Sequence, residues 1–399
     1  MTEATLTIER IGARGDGIGR YGGKPVFVPF TMPGDVVRAR IGRNGEAALV
    51  TLLSRSARQM PPCPHFGVCG GCSLQHLPEI AYAEAKRDFV RAALAHRGLD
   101  ETLVAPVERV SPATRRRARL AMARNAVGFH ERASHRIVDM TACPVLHPAL
   151  FAVVAGLRSL ALKGTASLTL ADTGIDLLLE LPREPELSAL ETLAEFARDR
   201  DLARLSWRTR GELPTPVVQR RPVQMGFSGV TVDLPPDCFL QATQESETKM
   251  RDLVLQGVGD ARTVADLYAG VGTFSFALAK NAKVHAADRD AAAIAALGRA
   301  DAGISTETRN LEKRPLLRHE LDNFEAVTFD PPYAGAAAQT KEMARSAIKR
   351  IVAVSCNPAS FARDARTLVD GGYRLARVVP VDQFLWSAEI ELVAHFVRQ

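Results

Sequence analysis

From residue 263 onward strand-like and helix-like runs alternate, and that alternation confines the C-terminal part of the chain to a doubly wound α/β sheet. Thr263-Val264-Ala265-Asp266-Leu267 reads as a first strand, a glycine loop follows, and 273–280 has helical spacing. A second strand ends at Asp288 and a second helix covers 291–302. The series continues through strand 326–329, a helix over 341–349 and strand 351–354, and closes with strands 373–379 and 390–398. Ligands of such mostly parallel sheets bind outside the carboxyl ends of the strands. The residues that follow each strand are therefore the candidate site.

The first of those positions is Asp266-Leu267-Tyr268-Ala269-Gly270-Val271-Gly272-Thr273-Phe274. Gly270 and Gly272 let backbone approach a ligand closely, and the following helix N-terminus favours negative charge. A dinucleotide fingerprint needs a third glycine, where this chain has Ser275. Asp288, at the end of the second strand, suits the ribose hydroxyls of any nucleoside cofactor and does not discriminate. Asp330-Pro331-Pro332-Tyr333 does. Its prolines fix an extended turn that aims a carboxylate and a flat side chain into the cleft, which suits a planar base held against a methyl donor.

Val354-Ser355-Cys356-Asn357-Pro358 places a thiol where the chain turns at the cleft edge, and Glu391 lies on the last strand. Uracil C5 attacks a sulfonium methyl poorly. A thiolate added at C6 makes C5 nucleophilic, and a base must then remove the C5 proton. Cys356 is the thiol candidate and Glu391 the base, with Glu389 its competitor.

The remainder divides at residues 58 and 235. Residues 1–58 alternate short strands and glycine turns, as in a small barrel of the oligonucleotide-binding type; 59–235 is a mixed α/β segment; 236–399 carries the sheet. Hydrophobic residues make up 46% and charged ones 24%, and no apolar run is long enough for a membrane span, so a cytoplasmic monomer is expected, with no membrane partner. A net charge of +6 and the run Arg115-Arg116-Arg117-Ala118-Arg119 point to a polyanion, with Arg116, Arg117 and Arg119 gripping an RNA backbone. Of six cysteines, Cys63, Cys69 and Cys72 crowd together. That spacing favours a metal or cluster site over disulfides.

Together these residues resemble the S-adenosylmethionine-dependent RNA uracil-C5 methyltransferases, in particular the iron–sulfur branch acting on 23S ribosomal RNA. The resemblance implies an N-terminal TRAM-like RNA-binding module and a class I methyltransferase domain. It implies Cys356 as nucleophile and Glu391, rather than Glu389, as base. S-adenosylmethionine would be contacted by Gln241, Tyr268, Thr273, Asp288, Asn310 and Asp330, and Phe239 would line the pocket of the target base. Cys63, Cys69 and Cys72, completed by Cys143, would hold a [4Fe–4S] cluster, with zinc the alternative. Tyr333, Thr243 and the run Leu385-Trp386-Ser387 depart from the family's pattern. Asp-Pro-Pro-Tyr also fits an exocyclic amino methyltransferase, but that chemistry has no use for the thiol. A non-catalytic RNA-binding protein is the remaining alternative. Transfer-RNA-specific relatives generally lack the TRAM-like module and the cysteines, which favours ribosomal RNA.

Overall fold

The computed structural model describes residues 2–398. Its largest sheet has eight strands. Seven lie in the C-terminal part: β1 (Thr263–Leu267), β2 (Lys283–Asp288), β3 (Ser305–Thr308), β4 (Ala326–Phe329), β5 (Arg350–Ser355), β6 (Arg374–Asp382) and β7 (Glu391–Val397). Their order is β3-β2-β1-β4-β5-β7-β6, and Glu108–Arg109 adds a short edge strand beside β6. The pairs from β3 through β5 are parallel, whereas β7 runs antiparallel to both neighbours. The order reverses between β1 and β4, where a ligand crevice opens in doubly wound sheets. Because β7 is reversed, its first residue, Glu391, lies at the same end as the last residues of β1, β4 and β5.

β1, β4 and β5 are buried on both faces, as their continuous apolar runs require. The expected helix over 341–349 instead spans Ala337–Arg345, because Ile348 is drawn into the core and Ser346 ends the helix with an extended backbone.

The sequence break at residue 235 does not coincide with the packing. Helix Glu79–His96 buries Phe89, Val90 and Leu94, and the last two join the cluster beneath β6 and β7. Hairpin Gln224–Phe227/Val230–Asp233 packs Met225, Phe227 and Val232 in one cluster with Phe276 and Leu297, on the helices that flank β2. Residues 79–109 and 223–234 are thus fastened to the C-terminal sheet by apolar contact.

A six-stranded mixed sheet fills the middle of the chain, from Arg117–Ala123 to Thr215–Gln219, with helices Pro148–Leu157 and Leu187–Asp199 in its core cluster. The N-terminal residues form two three-stranded antiparallel sheets around Leu6, Ile8, Val26, Val28, Val37 and Ala39. No helix among the described residues is long and apolar enough to cross a membrane.

Candidate active site

The glycine loop leaves β1 through Tyr268, which holds a left-handed φ of 61°. A non-glycine residue pays about 1–3 kcal/mol for such a backbone, a cost that persists where surrounding structure imposes it, commonly at functional sites. The Tyr268 hydroxyl is buried without a hydrogen-bond partner. Gly272, with φ 95°, has no room for a side chain, since a Cβ would stand 2.5 Å from Phe276. Gly270 donates its N–H to Asp288 Oδ2 at 3.0 Å, and Asp290 N–H donates to Oδ1 at 2.8 Å. Each carboxylate oxygen of Asp288 keeps a lone pair for a ligand hydroxyl. An orphaned hydroxyl, a bare backbone turn and an oriented carboxylate on one crevice fit a nucleoside cofactor.

Asp266, fully buried at the end of β1, accepts from Ser275 Oγ at 2.5 Å, and burial pushes its carboxyl up to about 7. Thr273 sits in the same loop, half-buried, ahead of helix Ser275–Ala279. Asn310, beyond β3, accepts from the N–H groups of Glu312 and Lys313 and so caps its own turn.

Cys356 follows β5. Asn357 accepts from Ala359 N–H at 3.0 Å and caps helix Pro358–Asp370, whose N1 proline forces the turn. The Asn357 amide and the Ser360 hydroxyl both donate to the Tyr333 carbonyl, so the Asp330–Tyr333 turn is tied to the cysteine turn. Burial, then the charges of Glu391 and Asp330, push the Cys356 thiol up to about 12. Glu391 is 3% exposed, and burial followed by the Asp330 charge raises its pKa. Asp330 is raised as well, by burial first and opposed by a hydrogen bond from Gln241 Nε2 at 2.8 Å.

The structure thus brings Cys356, Glu391, Asp330 and Gln241 together, and Tyr268, Gly270, Gly272 and Asp288 beside them. Glu389 faces Cys356 and Tyr333 from the loop before β7. Two partners were not foreseen. Gln383 bridges Glu391 and Gln241, and a buried Lys86–Asp382 pair at 2.7 Å, joined by Tyr82, anchors the loop 383–390. Neither belongs to a local motif: Lys86 and Asp382 are 296 positions apart.

Phe239 is 61% exposed, and the Arg117 guanidinium lies 4.9 Å from its ring centroid. Arg119 is exposed and touches Glu180 at 3.2 Å. Arg116 corrects the expectation of an RNA-gripping residue. It is buried, paired with Glu247, and donates to the Gln241 carbonyl at 3.0 Å, so its charge fastens the middle segment to residues 241–247.

Cys63, Cys69, Cys72 and Cys143 are free thiols that line one largely apolar cavity of about 270 Å³ with Phe66, Phe129 and Met140. Burial and the neighbouring thiols push Cys72 up to about 12. Among the described residues no set of three His, Cys, Asp or Glu side chains is arranged at single-ion geometry. The donor chemistry, four soft thiols facing one cavity, fits a thiolate-ligated centre.

Residues 2–43 match the TRAM domain and residues 304–398 match the tRNA (uracil-5-)-methyltransferase family. An uncharacterized RNA methyltransferase of Caulobacter vibrioides is 43% identical over 98% of this chain and 99% of its own length. The 23S rRNA (uracil(1939)-C(5))-methyltransferase of Halomonas elongata is 31% identical over 97% of this chain and 88% of its own. The chain belongs to the RNA uracil-C5 methyltransferase family. Its fold agrees with that of a solved family structure, the Pyrococcus abyssi tRNA (uracil-54, C5)-methyltransferase in complex with S-adenosyl-L-homocysteine. That likeness has a TM-score of 0.74 at 23% identity and covers 98% of this chain and 99% of that one.

Proposed function

We propose that this protein methylates C5 of a uridine in RNA, with ribosomal RNA as substrate and Cys356 as a covalent nucleophile. The observation that carries the reading is the convergence of the Cys356 thiol with the Glu391 carboxylate at the carboxyl ends of β4 and β5, next to the glycine loop. S-adenosylmethionine, held by Gln241, Tyr268, Thr273, Asp288, Asn310 and Asp330, supplies an electrophilic methyl group when bound.

The Cys356 thiolate forms a bond to C6, and the C5–C6 double-bond electrons move into an enolate with C5 nucleophilic. Once C5 carries the methyl group, Glu391 removes the C5 proton. The released electron pair restores the double bond as the C6–sulfur bond breaks, returning the thiolate. The base must be flipped out of any stack to expose both carbons. Exposed Phe239, with the half-buried Arg117 guanidinium against its ring, forms an aromatic–cation platform suited to a splayed nucleotide, and Arg119 lies beyond Arg117 on the same strand. The 23S substrate named for the Halomonas elongata relative supports ribosomal RNA.

The exocyclic amino reading of Asp-Pro-Pro-Tyr leaves Cys356 and Glu391 without a task, and the Gln241 amide already donates to one Asp330 oxygen. The four cysteines of the apolar cavity hold a [4Fe–4S] cluster in this proposal. Iron and acid-labile sulfide in equal amounts support it, and zinc in their place overturns it.

The deciding experiment is trapping with RNA in which the target uridine is 5-fluorouridine. With no C5 proton to remove, the wild-type protein is expected to remain bonded to RNA through denaturation, and C356A to leave none. Absence of the conjugate with cognate ribosomal RNA and cofactor supplied overturns the covalent route.

A further inference from the structure

Gln383 follows β6 at the point where Val381 pairs with Glu391 across the sheet. Its side chain is buried and all of its hydrogen-bonding directions are engaged. The Oε1 atom accepts from Ala242 N–H at 2.9 Å and from Ser246 Oγ at 3.1 Å. A backbone N–H can only donate, so this amide has one permitted orientation, which its partners settle. Its NH2 group must then face Glu391 Oε2, at 2.6 Å, and Gln241 Oε1, at 3.0 Å. That contact orients the Gln241 amide in turn, so its NH2 reaches Asp330 Oδ2 at 2.8 Å. A single backbone N–H, one residue past Gln241, thereby orders a line of groups from the base to the cofactor-side carboxylate.

The other oxygen of the base, Glu391 Oε1, is buried with no partner. A buried acceptor left unsatisfied costs about 1–3 kcal/mol, and its retention calls for a reason. We propose that Gln383 is a positioning residue for proton abstraction, holding Oε2 so that Oε1 alone is presented to the C5 proton. The inference rests on the C5-methylation reading above and adds the device that prepares the base.

The same contact favours the ionised form of the base, against the burial and charge that raise its pKa. A charge-assisted hydrogen bond favours the carboxylate. Burial and the facing Asp330 charge oppose it. Cys356 also faces Glu391, while Glu389 and Tyr333 stand at that thiol. The groups that bear on the charge of Glu391 are therefore acids, apart from the Gln383 amide that favours its ionised form.

The test compares Q383L with E391Q and wild type on cognate RNA carrying ordinary uridine, with S-adenosylmethionine present. E391Q is expected to stall after methyl transfer and accumulate a methylated covalent conjugate. Q383L is expected to accumulate the same conjugate in smaller amount, with kcat down about 10- to 100-fold. The acid limb of its kcat profile should move up by about one to two pH units, the worth of a hydrogen bond to a charged group. Q383E is the second variant, should Q383L not reach the wild-type melting temperature. Its carboxylate still accepts from Ala242 and Ser246 but sets another charge against Glu391, so the acid limb must again move upward. Loss of turnover with neither conjugate nor a moved limb makes Gln383 merely structural and overturns the inference, as does unchanged turnover. If E391Q and 5-fluorouridine trapping both give no conjugate, the C5-methylation reading itself fails; a conjugate with E391Q but not with the Gln383 variants defeats this inference alone.

Discussion

Cys356 and Cys72 are both pushed up to about 12, and the two regions that do so are built for opposite ends. Around Cys356, burial is followed by the carboxylates of Glu391 and Asp330. Around Cys72, burial is opposed by a hydrogen bond with Gln75 and reinforced by the other three cysteines of its own cavity. The first thiol is held neutral by burial and two carboxylates, one of which, Glu391, takes the C5 proton in the proposed reaction, so in that reaction a local change on substrate binding releases the thiolate. The second belongs to a set that no single proton satisfies and that a multivalent cation would ionise together. Arg115, half-buried on the cavity wall with its charge toward Cys143 and Cys72, fits a thiolate-rich centre. A shifted thiol pKa by itself therefore does not mark a nucleophile; the identity of the neighbours does.

The largest expected effect separates the regions by substitution. If the four cysteines hold the proposed cluster, C356A should reduce turnover by roughly 10³-fold or more while leaving iron content and melting temperature near wild type. C72S should do the reverse: iron falls, the melting temperature drops, and the 5-fluorouridine conjugate still forms on Cys356. Metal analysis, thermal denaturation and conjugate yield on the same preparations decide. Abolition of the conjugate in C72S with its iron intact would break the comparison.

The two regions share one strip of chain. Residues Phe384, Leu385, Ser387 and Glu389 line the cysteine cavity, while Gln383 and Glu391 at its ends face the catalytic cleft. Ser73 and Leu74, just after the last clustered cysteine, donate their N–H groups to the Trp386 carbonyl. Lys86 pins this strip. Its fully buried ammonium binds Asp382 at 2.7 Å and the carbonyls of Phe384 and Glu389, while Tyr82 adds its hydroxyl to Asp382 at 2.5 Å. K86M strands the Asp382 charge in the interior and should destabilise the protein by about 3–5 kcal/mol in chemical denaturation. Because the strip serves both regions, the surviving folded fraction should lose iron and conjugate yield together. Loss of one alone would show that the regions are mechanically independent.

What could be read from sequence follows from chain distance. The Ser-Cys-Asn-Pro turn, the glycine loop with Asp288, and the cysteine spacing are each contiguous or nearly so, and the chemistry they need is written in neighbouring residues. The sheet was legible for the same reason, since βα alternation is a local pattern. Gln383 was not, because an isolated glutamine after a strand gains meaning only from Ala242 and Ser246, about 140 positions earlier. Arg116 was misread because charge density in sequence does not reveal which arginine turns inward. Arg119, three positions on and exposed, carries the same side chain to the opposite environment. Packing of 79–109 on the C-terminal sheet was hidden likewise, as an amphipathic helix does not name the face it covers.

The smallest expected effect is a rate with a sign. A raised thiol pKa reduces the thiolate present at any pH below it, so conjugate formation with 5-fluorouridine RNA should climb about tenfold per pH unit from neutrality toward pH 9. An ordinary thiol would level off near 8.5. Replacing Glu391 by Gln removes the largest neighbouring charge that disfavours the thiolate. E391Q should therefore form the conjugate faster than wild type at pH 7, by roughly threefold to tenfold, although it cannot complete turnover on uridine. Stopped-time trapping of both proteins across that pH range checks the sign. A slower E391Q reaction would mean that Glu391 helps deprotonate Cys356, giving the base a task at both ends of the reaction and dissolving the contrast between a thiol held neutral by acids and one awaiting a cation.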